Sequence, residues 1–362
     1  MLTLGTLHPL YYTEQKAKIG TIELSLKPNI ENQYAVEISS KCLRVADRDI
    51  DLLEDTRIKC QEVAPPVMND SVINVRISTD PMLKLPAPKK TEEVNIEKIY
   101  CQRCAAKLSC KKFTRTLPLP SAAWHEVTDT LLCHGTHKTM MNGCYPRPGD
   151  CLVGEQEVWV AWDVVDSSHV YIDSTRDVEH AGTARVTASL NCHRCRNSLG
   201  RVVYNGDKVD WAIIWKHSIK TTSKEVPYHI ESYVAHELLD ASTRHVSYRF
   251  IILPRGTTTA FRGIRLWMMG GDLNITSSLS NEINQALTQF GGSVCENDKA
   301  MKVLYTKHSD LSLEGIWADA DILSLPLDLC LHLWLTLQLS SITLPPSKRY
   351  AQKCRVGYIR YS

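Results

Sequence analysis

Two short segments of this sequence carry cysteine pairs at the spacing that metal-binding turns use. They read Cys101-Gln-Arg-Cys104 and Cys192-His-Arg-Cys195, and each continues to a leucine four residues after its second cysteine. A C-x-x-C turn directs two thiolates towards a common point, and two such turns supply the four sulfur ligands of a tetrahedral zinc ion. The shared C-x-R-C-x-x-x-L pattern therefore predicts one closed zinc site with these four cysteines as ligands.

The separation of the two pairs leaves another ligand set open. Simple zinc ribbons separate their pairs by about 15–20 residues, whereas Cys104 and Cys192 are 88 positions apart. Further candidate ligands occupy this interval: Cys133, His134, His137, Cys144 and Cys151. An alternative shell would join the first pair to Cys133 and His137, but the matching flanks of the two pairs favour the four-cysteine site.

The same cysteines also fit disulfide bonds, inert buried thiols or a redox C-x-x-C motif. Disulfides form in oxidising compartments, and the N-terminal segment lacks the basic start and unbroken apolar core of a secretion signal. A redox motif normally accompanies a βαβ pattern, which this sequence does not show. The thirteen cysteines are an odd number, so we expect a reducing compartment, either the cytoplasm, the nucleus or both.

Composition limits the classes of partner. The 362 residues are 43% hydrophobic and 23% charged, with a net charge of +2, as in ordinary globular proteins. Such a balance creates no global field for nucleic acid or an anionic membrane. The apolar segment 322–344 contains Pro326, Asp328 and His332, which indicates a buried core helix rather than a membrane span. We expect neither nucleic acid nor a membrane as a direct partner.

The elements that must position the cysteines are mostly strands. Between residues 19 and 79, apolar side chains recur at every second position and are interrupted by Pro, Asn and Asp turns, which predicts an antiparallel sheet. Residues 81–93 contain three prolines and a run of charges, which predicts a domain boundary. The first domain is therefore expected to be an antiparallel β domain of residues 1–95.

The remaining sequence mixes strands and helices. Residues 96–204 contain both cysteine pairs and a predicted helix, capped by Ser121, that ends near Cys133. Asn205-Gly206 predicts a hairpin turn, and residues 205–362 contain strand patterns together with two predicted helices, around 232–242 and from Pro326. The expected fold class is α+β and beta-rich, with an antiparallel N-terminal sheet domain, a zinc-braced central region and a C-terminal mixed α+β region.

No small-molecule catalytic motif accompanies these elements. The sequence lacks a phosphate-binding loop, a GxSxG elbow and an HExxH helix. A catalytic zinc keeps a coordination position open, whereas two complete cysteine pairs fill all four positions. The expected metal is therefore structural.

Several short motifs occur in a fixed order along the chain. They are Tyr100-Cys101-Gln-Arg-Cys104, Leu117-Pro-Leu-Pro120 with Trp124, Cys133-His134, Asp150-Cys151-Leu-Val-Gly154, Cys192-His-Arg-Cys195 with Leu199-Gly200, Leu344-Pro-Pro-Ser347, and Val356-Gly357-Tyr358. This order resembles the HECT-like family of ubiquitin-conjugating-enzyme-binding proteins. The match begins near residue 100 and continues to the C-terminus, so region 205–362 is expected to be HECT-like.

The resemblance implies partners and an activity. It implies binding to a ubiquitin-conjugating enzyme and ubiquitin-protein ligase activity. It also implies association with the endonuclease of the pre-mRNA 3′-end cleavage machinery, so a non-catalytic role in binding and stabilising that nuclease is the alternative function. Cys133, His134 and Cys151 recur in the family pattern, which implies a second polar or metal site.

A HECT enzyme carries ubiquitin on a cysteine a few residues before a Leu-Pro-Pro segment. The residues immediately before Leu344-Pro345-Pro346 include no cysteine, and Cys330 lies too far upstream, in a predicted apolar helix. Cys354 lies downstream between Lys353 and Arg355, whose charges would favour a thiolate. Cys354 is thus a candidate catalytic thiol, with an ordinary residue of the last strand as the alternative. A ligase or adaptor without a covalent intermediate is the preferred hypothesis.

Overall fold

The computed structural model describes the greater part of the chain. The described residues are 9–16, 19–27, 36–39, 41–45, 48–50, 57–64, 67–69, 72–80, 96–119, 145–154, 156–179, 185–222, 230–255, 261–281, 285, 299–309, 315 and 317–361. The chain divides into two compact units. Unit 1 comprises Met1–Pro88 together with His229–Ser362, and unit 2 comprises Lys89–Tyr228.

The N-terminal part of unit 1 is made of short strands. They are β1 (Tyr11–Lys16), β2 (Thr21–Leu26), β3 (Val36–Ile38), β4 (Leu43–Val45), β5 (Arg48–Ile50), β6 (Ile58–Val63), β7 (Val67–Asn69) and β8 (Val72–Thr79). All their mutual pairings are antiparallel. The period-two pattern between residues 19 and 79 therefore predicted antiparallel strands correctly in this part of the chain.

Unit 2 is built around a sheet of seven described strands. The described strands of unit 2, which form this sheet and a separate two-stranded ribbon, are β9 (Ile99–Cys101), β10 (Arg115–Pro118), β11 (Asp150–Val153), β12 (Glu157–Ala161), β13 (Val170–Glu179), β14 (Arg185–Cys192), β15 (Ser198–Asn205), β16 (Lys208–Trp215) and β17 (Ile219–Thr221). The large sheet has the order β10-β11-β12-β16-β15-β14-β13, and β9 pairs with β17 in a separate ribbon. The predicted hairpin turn is confirmed between β15 and β16, where Gly206 has a φ of 62°.

The C-terminal part of unit 1 contains both described α-helices. Its elements are α1 (Ile230–His245), β18 (Arg249–Pro254), β19 (Ile264–Ser277), β20 (Lys299–Lys307), β21 (Asp321–Leu325), α2 (Leu327–Ile342), β22 (Tyr350–Ala351) and β23 (Cys354–Arg360). The helix predicted from Pro326 begins one residue later. Within the described residues, no helix is both long and apolar enough to span a membrane.

One sheet of unit 1 joins strands from both ends of the chain. Its described order is β22-β23-β20-β19-β1-β2-β8-β6, with β18 beside β19, β21 beside β18 and β7 beside β8. β1 runs antiparallel to β19, from Tyr12 opposite Ser277 to Lys16 opposite Leu273. The sequence predicts separate domains for residues 1–95 and 205–362. The hydrogen-bonded ladder between β1 and β19 places strands of residues 1–95 in one sheet with strands of residues 249–360, whereas residues 205–222 lie in unit 2.

A buried carboxylate helps to hold that sheet together. Glu14 on β1 is 1% exposed, and its Oε2 accepts hydrogen bonds from Lys302 Nζ at 2.9 Å and from the Tyr358 hydroxyl at 2.8 Å. Burial alone would raise the pKa of Glu14, but Lys302 and the Tyr358 hydrogen bond lower it. A buried ion is stable only when such partners compensate for lost hydration. The contacts link β1 to β20 and β23.

Helix α2 packs against the same sheet. The Tyr305 hydroxyl of β20 donates a hydrogen bond to Leu337 O at 3.0 Å, and the Tyr358 backbone N–H donates to Ser340 Oγ at 2.9 Å. Leu329, Leu333 and Leu337 are buried on the packed side. Eight of the sixteen residues of α2 are buried, which fits its apolar sequence. The confirmed architecture is thus beta-rich, with antiparallel sheets and two described α-helices.

A buried carboxyl at the start of α1 predicts a pH dependence. Glu231 Oε1 accepts a hydrogen bond from the Arg360 backbone N–H at 2.6 Å, and burial raises the pKa of Glu231 from 4.5 to about 7. The folded protein retains a proton that the unfolded chain releases. The free energy of unfolding should therefore fall as the pH rises from 4.5 to about 7.

The Glu231→Gln variant should lose this dependence, since its amide stays neutral and still offers an oxygen to Arg360. At a pH of about 8 it should be more stable than the parent by about 2 kcal/mol. Urea unfolding across a pH series measures both effects. An unchanged pH profile in the variant would assign the dependence to other groups.

Candidate metal centre

The two cysteine turns, called here the first knuckle (residues 101–104) and the second knuckle (residues 192–195), share one backbone geometry. β9 ends at Cys101 and β14 ends at Cys192. The Ala105 N–H donates to Cys101 O at 2.9 Å, and the Arg196 N–H donates to Cys192 O at 2.9 Å. The same two residues have positive φ values, 54° at Ala105 and 60° at Arg196. The sequence repeat is therefore also a structural repeat.

The knuckles bring four sulfur atoms together. The Sγ atoms of Cys101, Cys104, Cys192 and Cys195 all lie within 4.8 Å of one another. Cys101 Sγ is 3.6 Å from Cys195 Sγ, and Cys104 Sγ is 3.6 Å from Cys192 Sγ. A tetrahedral zinc site with bonds of about 2.3 Å has sulfur–sulfur edges of about 3.8 Å. The cluster thus has the size that a tetrahedral metal ion requires.

These distances also decide against disulfides at the cluster. A disulfide bond is about 2.05 Å long, well short of the 3.6 Å separations across the knuckles. All four cysteines are free thiols in the structure. The grouping of all four around one point equally argues against four unrelated buried thiols.

Burial and protonation differ within the cluster. Cys101 and Cys192 are fully buried in the unit 2 core, whereas Cys104 and Cys195 are partly exposed at its edge. Burial raises the pKa of the Cys101 thiol to about 12. Partial burial also tends to raise the pKa of the Cys104 thiol. A hydrogen bond from the Ala106 backbone N–H and hydrogen bonds with the neighbouring thiols outweigh this effect and lower the pKa to about 7. A divalent cation would displace the remaining protons, because thiolates are the ligands.

A serine that sequence reasoning missed ties the knuckles to the sheet. Ser218 is 1% exposed and follows β16. Its hydroxyl is 3.0 Å from Leu199 O and 2.7 Å from Trp215 O, and its own carbonyl accepts the Gln102 N–H at 2.9 Å. Ser218 thus contacts Gln102 of the first knuckle and Leu199, which follows the second knuckle. No local motif marks it, because its role depends on the pairing of β9 with β17.

The other candidate ligands are not part of this cluster. Cys133, His134, His137 and Cys144 lie outside the described residues, as does the helix predicted from Ser121. Cys151 is described, and it is buried in β11 within the unit 2 core. Among the described residues, the single grouping with metal-ligand geometry contains only the four knuckle cysteines. A second site with Cys133 and His134 stays a prediction.

The C-terminal cysteines of unit 1 are buried. Cys354 is 1% exposed at the start of β23, among apolar side chains that include Leu344 and Val356. Cys330 is fully buried in α2, and burial raises the pKa of its thiol to about 12. Ubiquitin transfer through a thiol requires an accessible thiolate. Neither side chain meets that requirement in this conformation.

Comparison with known proteins identifies several similar proteins that share one name. The chain is 24% identical over 292 residues to a Bos taurus protein named as an E3 ubiquitin-protein ligase and 25% identical over 294 residues to the Homo sapiens protein of the same name; each alignment covers 72% of both chains. The Rattus norvegicus protein of that name is 26% identical over 269 residues, which cover 69% of this chain and 67% of the relative. No solved structure gives a significant match.

A family profile covers almost the whole chain. The profile described as "HECT-like Ubiquitin-conjugating enzyme (E2)-binding" matches residues 13–356. This span includes both knuckles of unit 2 and, apart from the first residues of β1 and the last residues of β23, the sheet of unit 1 that joins the two ends of the chain. The chain therefore belongs to the HECT-like family of ubiquitin-conjugating-enzyme-binding proteins.

Proposed function

We propose that this protein acts in the ubiquitin pathway. It binds a ubiquitin-conjugating enzyme that carries ubiquitin and promotes transfer of the ubiquitin to an acceptor amine. The observation that carries the proposal is the family match over residues 13–356. The relatives are named as ubiquitin-protein ligases, which supports the same activity.

The four knuckle thiols are proposed to hold one zinc ion. A set of four sulfur ligands is typical of structural zinc and leaves no position for a substrate. When bound, the ion supplies binding energy that fixes the two knuckles relative to each other. The cysteines that it joins lie at the ends of β9 and β14. Zinc would therefore set the shape of unit 2 rather than take part in bond making.

The transfer is proposed to proceed without a ubiquitin thioester on this chain. The acceptor amine attacks the thioester carbonyl on the conjugating enzyme, the carbon–sulfur bond breaks, and the conjugating enzyme's thiolate leaves while the amine loses a proton. This chain's part is to bind and orient the partners. The burial of Cys330 and Cys354 supports this route, as does the absence of cysteine just before Leu344.

A discharge assay tests this function. Conjugating enzymes are loaded with ubiquitin and mixed with free lysine, with or without the full-length protein, and the remaining thioester is followed on non-reducing gels. We expect faster discharge and no reducible ubiquitin adduct on this chain. Discharge that is no faster with any conjugating enzyme tested would contradict the proposal. A reducible adduct that Cys354→Ser abolishes would replace it with a covalent mechanism.

The association with the pre-mRNA cleavage endonuclease stays a prediction from the family resemblance. No contact, charge or motif among the described residues bears on it. Residence in the cytoplasm or the nucleus is likewise a proposal, and it rests on the cysteine content and on the reducing conditions that free thiolate ligands require.

A further inference from the structure

The exposed tips of the two knuckles carry a group of arginines that the metal centre itself does not use. We infer that Arg103, Arg194 and Arg196 form a binding surface for an acidic polypeptide segment of a protein partner. All three side chains are exposed. They lie on two turns whose sulfur atoms approach to 3.6 Å, so the tips are neighbours on one face of unit 2.

Two of the three arginines have no charged partner in the part of the chain that the structure describes. Among the described residues, neither Arg103 nor Arg194 has an ion pair or a hydrogen bond from its guanidinium. Lysines close to the first knuckle behave differently: Lys111 Nζ lies 2.6 Å from Asp163, and Lys112 Nζ lies 2.7 Å from Glu97. These two lysines are therefore paired with acids, whereas Arg103 and Arg194 have no such partner among the described residues.

The sequence around both knuckles is also devoid of acids. No Asp or Glu occurs between Glu97 and Glu126, or between Glu179 and Asp207. The whole chain has a net charge of only +2, so the excess of positive charge around the knuckles is local. A locally positive surface on a near-neutral protein indicates selection among partners by charge rather than general attraction to polyanions.

Arg196 packs over an aromatic ring. Its φ of 60° is uncommon for a long side chain, and its guanidinium lies 4.8 Å from the centre of the Tyr171 ring. A cation placed over an aromatic face is stabilised there. The equivalent position of the first knuckle is Ala105, with a φ of 54°. The turn therefore tolerates alanine, and arginine is not needed to form it.

The arginine charges could instead compensate for the negative charge of a zinc ion bound by four thiolates. Four thiolates and one zinc ion leave two negative charges, and nearby cations would lower the energy of that dianion. Three exposed arginines exceed those two charges, and their exposure directs the guanidinium groups to solvent. Charge balance is the alternative explanation of this cluster, and it makes a separate prediction: removal of the arginines would weaken metal binding.

An acidic polypeptide fits this surface better than nucleic acid does. A guanidinium fork binds carboxylate or phosphate in a bidentate manner. Proteins that bind single strands add open aromatic faces for the bases, whereas one face of Tyr171 is occupied by Arg196. A net charge of +2 also gives no reason to expect the extended positive surface that binds a phosphate backbone.

Fluorescence anisotropy with the full-length, metal-loaded protein tests the inference. The probes are a fluorescein-labelled polyglutamate peptide, a matched polyglutamine peptide and polyuridine RNA. The variants are Arg103→Gln with Arg194→Gln, and Arg196→Ala, which reproduces Ala105. Lys208→Gln is the control, because it removes one exposed charge just beyond the other end of β15.

We expect the wild-type protein to bind polyglutamate in preference to both other probes. The double variant should weaken that binding about tenfold, Arg196→Ala should weaken it less, and the control should not change it. Zinc content and thermal unfolding should stay at wild-type values. Equal polyglutamate affinity in the double variant overturns the inference, as does preferential binding of polyuridine. Loss of zinc with unchanged peptide affinity assigns the arginines to charge balance and also overturns it.

Discussion

The Cys192→Ser variant is expected to lose its metal and the cooperative folding of unit 2. Cys192 is fully buried where β14 enters the second knuckle, and a serine hydroxyl is a poor ligand for a site built for thiolate. Structural zinc contributes about 10–16 kcal/mol of apparent binding free energy in small zinc domains. A typical domain has only about 5–15 kcal/mol of total stability. Loss of the ion should therefore be severe.

Limited proteolysis and hydrogen exchange measure this effect segment by segment. Amides of β14, β15 and β16 should lose protection, while those of β19 and β20 in unit 1 keep it. Cys110→Ser is the matched control, because Cys110 is an exposed cysteine of the same unit outside the cluster. Retained protection of β14 in Cys192→Ser would show that the knuckles do not depend on a metal.

Gly200→Ala is expected to destabilise unit 2 strongly. Gly200 lies in β15 with a φ of 153°, in a region that residues with a side chain rarely adopt. A Cβ added there would lie 2.0 Å from Ile213 O in β16. That contact is with backbone, so it can be relieved only by separating the two strands. We expect a loss of unfolding free energy of about 4 kcal/mol or more.

Gly206→Ala provides the control for this substitution. Gly206 also has a positive φ, 62°, but an added Cβ would meet nothing within 4 Å. Its cost should be about 1 kcal/mol, the backbone strain alone. Chemical unfolding of the two variants separates steric clash from strain. Similar losses in both would contradict the strand spacing described here.

The four-cysteine cluster was predictable because its information is local. A C-x-x-C turn fixes the relative positions of its two thiols, and the repeat of flanking residues matched one pair to the other across 88 positions. The roles of Ser218 and Gly200 were not predictable to the same degree. Each depends on which strands become neighbours, namely β9 with β17 and β15 with β16.

The joining of the two chain ends in one sheet was not predictable for the same physical reason. Alternating apolar residues correctly predicted strands such as β2 and β8, but periodicity does not encode the partner strand. The ladder from Tyr12 to Lys16 pairs with β19, which lies in the last third of the chain. The burial of Glu14 was not predictable for the same reason. Its sequence context is typical of an exposed residue, yet Lys302 and Tyr358, which are remote in sequence, donate hydrogen bonds to its carboxylate.

Native mass spectrometry of the intact protein tests the central claim most directly. The wild-type protein should carry one zinc ion per chain, and the four knuckle thiols should resist alkylation until a chelator removes the ion. Cys192→Ser, measured in parallel, should carry none. A wild-type protein that binds no metal under native conditions, with the same four thiols freely alkylated, would contradict the account.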